Sequence, residues 1–174
     1  MKNKTRELVL AAILTALAII ITFFPKIDFG GFFTLTPGSH VPTFLAMFVS
    51  PWVAVMSVIG SCIGFFFSTS SLLVVTRAAL HLVFVLVGMK MIDKKINIFL
   101  VIILTAVLHS VAEGVAVYAL TPILVKNSEA TMLAAGWTAL SVTFVHHLID
   151  AAITTPILYA LTKAKLVARP DFMK

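Results

Sequence analysis

Long apolar runs, separated by short gaps that collect nearly all the lysines and arginines, constrain this chain more than any other feature. A helix needs roughly 20 apolar residues to cross about 30 Å of hydrocarbon, and runs of that kind recur along the chain. Of its 174 residues, 60% are hydrophobic and 11% charged, against about 25% charged in soluble domains. A soluble fold of this length could not cover so much apolar surface. The sequence therefore predicts an all-α, polytopic membrane protein, a bundle of six transmembrane helices forming one domain over residues 1–174.

Spans are expected at roughly 7–24, 41–50, 52–67, 72–90, 97–121 and 136–162. The connection 25–39 holds Gly30, Gly31, Pro37 and Gly38 and a stretch over 32–36 that reads as extended. Ser50-Pro51 divides an uncharged segment too long for one helix. The first run follows Lys2, Lys4 and Arg6, like the start of a signal peptide, but lacks a small-residue cleavage site and reads as a retained helix. Cys62 is the single cysteine, so no internal disulfide is possible.

A net charge of +6 would raise nucleic acid as a partner for a soluble protein. Here it reports topology instead, and no nucleic acid is expected. Lys2, Lys4, Arg6, Lys90, Lys94, Lys95, Lys163, Lys165, Arg169 and Lys174 fall on one side of a six-span arrangement, and only Lys26 and Lys126 on the other. This bias places both termini in the cytoplasm, with the connections 25–39, 68–71 and 122–135 outside.

Several ionisable side chains remain inside the spans, where each costs about 2.5–3.5 kcal/mol on insertion scales. They are Arg77 and His81, His109 and Glu113, and His146, His147 and Asp150. The pairs Arg77/His81, His109/Glu113 and His146/Asp150 are each four residues apart, so each shares a helix face. Their depths match if the three helices face one interior, with Arg77 and Glu113 in the outer third and the histidines near mid-depth. His40, at the outer mouth, is placed to cap it. A helix-holding hydrogen-bond network is one reading. A polar ligand pocket open to the outside is favoured, because so many ionisable groups exceed what packing three helices requires.

Other chemistries leave weaker marks. The histidines with Glu113 and Asp150 are potential metal ligands, but their spacing matches no local metal motif, and His146 and His147 point to different helix faces. No metal is assigned. Neither His-Glu-x-x-His nor Gly-x-Ser-x-Gly occurs, and neighbouring His109 and Ser110 diverge on a helix, so no enzyme is expected. With no Walker A sequence the chain cannot itself hydrolyse ATP. Small residues four apart, Ala12/Ala16 in the first span and Gly60/Gly64 in the third, allow close helix approach. Packing within the chain is favoured for the glycines, while the alanines are equally suited to an internal or an external partner.

The chain length, the six spans, the basic cytoplasmic ends, the long first outer connection, Ala12-x-x-x-Ala16, the run from Thr36-Pro-Gly-Ser-His through Ser50-Pro-Trp to Gly60-x-x-x-Gly64, and Arg77-Ala-Ala-Leu-His81 together resemble the substrate-binding S components of energy-coupling factor (ECF) vitamin transporters. The resemblance implies high-affinity capture of a vitamin from outside, between the first outer connection and spans four to six. It implies a transmembrane coupling subunit, met by Ala12 and Ala16, and two partner ATPases that use ATP, with no cofactor in this chain. On this reading Arg77, His81, His109, Glu113, His146, Asp150, His40 and Trp137 line the substrate site. Arg77 suits a carboxylate, Trp137 and Phe144 can stack on a ring, and the sequence resembles the niacin type, with pantothenate next. Pairing of Arg77 with Glu113 would remove the carboxylate argument. The alternatives are a membrane metal-binding or metal-transport protein built on the His/Glu/Asp cluster, and an assembly subunit without a ligand. The Met1-Lys2 start does not support the metal mode of nickel and cobalt relatives, which begin Met-His.

Overall fold

The computed structural model describes residues 4–29, 33–124 and 129–167. Lys2, Lys126, Arg169 and Lys174 of the charge count, and Gly30 and Gly31 of the first connection, lie outside the described residues. The elements run α1 (Lys4–Ile21), β1 (Ile27–Phe29), β2 (Phe33–Leu35), α2 (Val41–Met47), α3 (Pro51–Thr69), α4 (Leu72–Asp93), α5 (Ile98–Leu124) and α6 (Glu129–Lys163). Helix is therefore the dominant structure, as the apolar runs predict. The exception is an antiparallel hairpin that pairs Ile27 with Leu35 and Phe29 with Phe33, where an extended stretch was expected.

Local chemistry sets the breaks. Pro51 occupies the first turn of α3, where no N–H is required, and the Ser50 side chain accepts from the Val53 N–H at 3.3 Å. Ser70 ends α3 in the left-handed region at φ 52°, and Ser71 then caps α4 by accepting from the Val74 N–H. The polar connection expected over 122–135 is shorter than its composition suggested. The α5 helix continues through Pro122 to Leu124, and α6 begins at Glu129, because Ala130, Met132, Leu133, Ala134 and Ala135 all favour helix.

By length and composition α3, α4, α5 and the Thr131–Lys163 stretch of α6 can each cross a membrane. The α2 helix cannot: its 7 residues rise only about 10 Å. The expected second span is thus a short, fully buried helix reached through a non-helical segment.

Helix contacts fall into two kinds. Against α1, α3 presents glycines: a Cβ at Gly60 would lie 2.7 Å from the Thr15 carbonyl, and one at Gly64 would lie 2.5 Å from Thr22 Oγ1. The internal role expected for this pair holds. Between α5 and α6 the same device recurs unannounced, with a Gly114 Cβ 2.9 Å from Leu140 Cβ and 3.2 Å from the Gly136 carbonyl. Phe44, Met47, Val53, Val58, Phe84 and Val85 fill the main apolar core. At one end of the bundle the Arg6 guanidinium donates to the carbonyls of Lys165, at 2.9 Å, and Leu166, which joins the first turn of α1 to the end of α6.

Candidate functional site

One layer of polar side chains crosses the bundle beneath the hairpin. The α4 helix contributes Arg77 and His81, α5 contributes His109 and Glu113 and α6 contributes Thr143, His146, His147 and Asp150. All eight are buried, none more than 6% exposed. The four-residue spacings do place each pair on one face, and the three faces do meet.

Glu113 is the hub of one half. Its Oε2 accepts from Arg77, at 2.9 Å from Nε and 2.8 Å from the terminal nitrogen, and from the Thr143 hydroxyl at 2.7 Å. Its Oε1 lies 3.2 Å from His109 Nε2 and 3.6 Å from His81 Nε2. Arg77 also donates to the Thr34 carbonyl at 3.4 Å, which ties the hairpin to α4. The guanidinium is therefore engaged with a carboxylate of the chain itself, the circumstance expected to remove the carboxylate argument built on Arg77 alone.

Asp150 is the hub of the other half. Its two oxygens accept from the backbone N–H groups of Gly38 at 2.8 Å and His40 at 3.0 Å, from His40 Nδ1 at 2.9 Å and from His146 Nε2 at 3.0 Å. His146 Nε2 also faces the Thr36 carbonyl at 3.1 Å. These bonds explain how irregular backbone enters the bundle: its polar groups are satisfied by protein, which is the condition for non-helical chain at membrane depth. Gly38, at φ +83°, makes the turn that a side chain would strain.

This segment corrects the expected position of His40. Its ring lies not at an outer mouth but among the rings of His146, His81 and His109, at centroid distances of 4.5, 4.6 and 4.9 Å. The Asp150 carboxylate pulls the segment inward, so a residue before a helix in sequence sits at the depth of mid-helix residues. Trp137 is corrected too: it is 61% exposed on the outer face of α6 and contributes nothing to the layer. Phe144 is only half-buried. Thr143 and the backbone of Thr36 and Gly38 were missed. Thr143, three residues before His146, was visible as a member of the same helix face.

The imidazoles raise a proton question. His40 gives its Nδ1–H to Asp150, and its Nε2 then faces His81 Nε2 at 3.3 Å. A proton on His81 Nε2 bridges them and leaves His81 Nδ1 a buried lone pair. A proton on Nδ1 sets two lone pairs against each other. His81 Nδ1 has no hydrogen-bond partner among the described residues, and a buried unsatisfied group costs about 1–3 kcal/mol. On α5 and α6, His109 Nδ1 meets His147 Nδ1 at 3.2 Å, and His147 Nε2 meets Thr105 Oγ1 at 3.1 Å.

Above this layer, Thr34, Thr36, Phe65, Arg77, His81 and Glu113 help enclose a hollow of only about 20 Å³, roughly one water's worth of space. On the far side of the layer lies a cavity of about 520 Å³ walled by apolar groups of α2, α5 and α6, including Phe44, Met47, Phe99, Ile102, Ala151 and Tyr159. Ala12 and Ala16 lie elsewhere: both are exposed on α1, while Ala11, Leu14 and Ala18 turn inward.

Fold and site together define a helical membrane protein with a buried, hairpin-covered polar centre. The chain is similar to the niacin transporter NiaX of Lactococcus lactis subsp. cremoris (strain MG1363), 32% identical over 126 residues. The match covers 68% of this chain and 57% of that transporter, so it spans little more than half of the relative's length. It agrees with the resemblance to niacin-type S components read from the sequence. No protein-family model and no solved structure matches.

Proposed function

We propose that this chain is the substrate-binding S component of an ECF-type importer, capturing a small carboxylate vitamin of the niacin kind from outside the cell. The observation that carries the proposal is the meeting of polar faces from α4, α5 and α6 with the Thr36–His40 backbone, in a chain similar to a niacin transporter. Arg77, His81, Glu113, His146 and His40 border the covered hollow and form the substrate site, with His109 and Asp150 behind them.

A hollow this small admits a ring only if the hairpin and its segment lift. Among the described residues the polar contacts to break include Arg77 with Thr34, His146 with Thr36, and Asp150 with Gly38 and His40. The incoming carboxylate then shares Arg77 with Glu113. In this arrangement α2 and the segment before it together make the second of six crossings. The junction of Arg6 with Lys165 and Leu166 fits an even number of crossings, with both termini at the cytoplasmic face of the membrane. The chain acts as a binding protein, not an enzyme. ATP is consumed by two partner ATPases acting through a coupling subunit that meets the exposed Ala12/Ala16 face of α1.

Equilibrium binding of labelled nicotinate to the purified chain tests this. Saturable binding at nanomolar to micromolar concentration without ATP is expected. Because Arg77 also supports Glu113, Arg77→Lys is the cleaner variant: it keeps the charge and removes the planar fork. Its affinity should fall at least about tenfold. Full affinity in Arg77→Lys would remove Arg77 from the site, and a vitamin panel without any ligand would remove the proposal.

A further inference from the structure

His40, His81 and His109 each place one ring nitrogen within 4.8 Å of the other two. They come from three different elements: the segment before α2, α4 and α5. His40 Nε2 and His81 Nε2 are 3.3 Å apart. Two ligand nitrogens held by a tetrahedral zinc-like ion at bond lengths of about 2.0–2.1 Å are themselves about 3.3–3.4 Å apart. The spacing that makes a weak imidazole–imidazole hydrogen bond is thus also the edge of a metal tetrahedron.

We infer that His40, His81 and His109 form a binding site for a borderline divalent transition-metal ion at the floor of the proposed vitamin site, with its fourth position turned toward Glu113 and Arg77. The surroundings of His40 and His109 match what metal-ligating histidines require, while the second nitrogen of His81, Nδ1, has no partner among the described residues. His40 hands its other nitrogen to Asp150 at 2.9 Å, the carboxylate–histidine pairing that fixes ring orientation at metal sites. His109 hands its other nitrogen to His147 at 3.2 Å, and Thr105 holds His147. Glu113 Oε1, at 3.2 Å from His109 Nε2 and 3.6 Å from His81 Nε2, stands on the open side. All three ligand side chains are buried, and imidazole ligation selects ions such as zinc, cobalt and nickel over magnesium or calcium.

A second grouping, His40, His146 and Asp150, is just as tight. There, however, both Asp150 oxygens hold the inserted backbone and His146 Nε2 is shared with the Thr36 carbonyl, so its atoms already have structural work. In the first grouping no ligand nitrogen is bonded to backbone among the described residues: His40 Nε2 and His81 Nε2 face each other, and His109 Nε2 faces Glu113.

Charge gives an independent reason. Among the described residues of the layer, one guanidinium faces two carboxylates, a formal balance of minus one with neutral imidazoles. A vitamin anion added to that set would sit among uncompensated negative charge in a poorly solvated site. A divalent ion turns the balance to plus one, and the anion then brings it to zero. The ion also supplies a Lewis-acidic partner for the carboxylate or ring nitrogen of a pyridine carboxylate, which Arg77, held by Glu113, does not offer unaided.

The inference rests on the S-component reading for the anion but not for the ion, and the test separates them. Purified full-length chain, stripped with a chelator, is titrated with Co²⁺ and read by visible absorption, with nicotinate binding measured before and after loading. Expected are one Co²⁺ per chain with the bands of a tetrahedral nitrogen-rich site, loss of these bands in both His81→Ala and His109→Ala, and their retention in His146→Gln. Thermal unfolding confirms that the variants fold. Nicotinate affinity should rise at least about tenfold on loading, within the range typical of coupling between two bound ligands. Absence of Co²⁺ bands in the unaltered chain overturns the inference whatever the variants do, as do bands that persist in both folded alanine variants. Equal nicotinate affinity with and without metal overturns the coupling and leaves the S-component reading intact. Stoichiometric Co²⁺ without any vitamin bound sustains the metal site and brings down that reading instead.

Discussion

The two halves of the bundle hold their helices together by different balances of close packing and polar pairing. Between α1 and α3 the contact is dry and close, with backbone against backbone where Gly60 and Gly64 meet Thr15, Ile19 and Thr22. Between α4, α5 and α6 a chain of charges and imidazoles centred on Glu113 and Asp150 crosses all three helices, beside one glycine approach of α5 to α6 at Gly114 and Gly136. In lipid there is little hydrophobic drive between helices, so either packing or polar pairing must supply the attraction. Packing by glycine is insensitive to chemistry and fails only when volume changes. Polar pairing fails whenever a partner is lost, and its groups can exchange one another for a ligand. The rigid half therefore suits a docking frame, and the polar half suits capture.

The sharpest way to break this comparison is to remove one hub. Glu113→Ala should lower stability by about 3–5 kcal/mol in a reversible denaturation assay, the usual result of taking one partner from a buried ion pair. Replacing both members, Arg77→Met with Glu113→Met, should restore most of that loss while nicotinate binding stays abolished. A double variant as unstable as the single one would show that the layer is more than a pair. Next in size, Asp150→Asn keeps an acceptor oxygen for one backbone N–H but loses the charge-assisted bonds to Gly38 and His40. A loss of about 1.5–3 kcal/mol is expected, together with faster proteolysis between residues 33 and 40. Unchanged proteolysis would mean that the inserted backbone is held by other contacts.

In the dry half, Gly64→Ala should cost about 1–3 kcal/mol by overpacking, because its Cβ would lie 2.9 Å from Ile19 Cα, which is backbone and cannot rotate away. Gly60→Ala should behave alike. Neither should change nicotinate affinity in the fraction that remains folded. A Gly64→Ala variant that folds normally and loses the vitamin would erase the division of labour between the halves.

Much of this is legible in the sequence. Helix positions followed from apolar runs and from Pro51, and the meeting of three faces followed from a four-residue spacing read three times. What the sequence hid was produced by contacts at long range. Nothing local at His40 says that Asp150, 110 residues away, draws its backbone into the bundle. Trp137 read as a ring-stacking residue because aromatic type is visible in a sequence and helix rotation is not. The short α2 was masked because a buried helix and a spanning helix have the same apolar composition. Gly114 and Gly136 escaped notice because each lies alone on its own helix, and the close approach they permit exists only between helices.

The smallest effect on the fold belongs to Ala12 and Ala16. Both are exposed, with Val9, Ile13 and Ile20 also outward on α1, while the opposite face of that helix is buried against the bundle. Ala12→Leu and Ala16→Leu should thus change unfolding by no more than about 0.5 kcal/mol, as surface substitutions do, and should leave nicotinate and Co²⁺ binding untouched. If small residues there admit a partner helix backbone, added leucine side chains should hold it off by their bulk. Co-purification of the coupling subunit and ATP-dependent uptake should then fall together in the double variant, while the isolated chain still binds its ligand. Uptake at full rate from that variant would move the partner contact to another face. Loss of ligand binding would instead mean that α1 is coupled to the polar half, against the separation of the two halves.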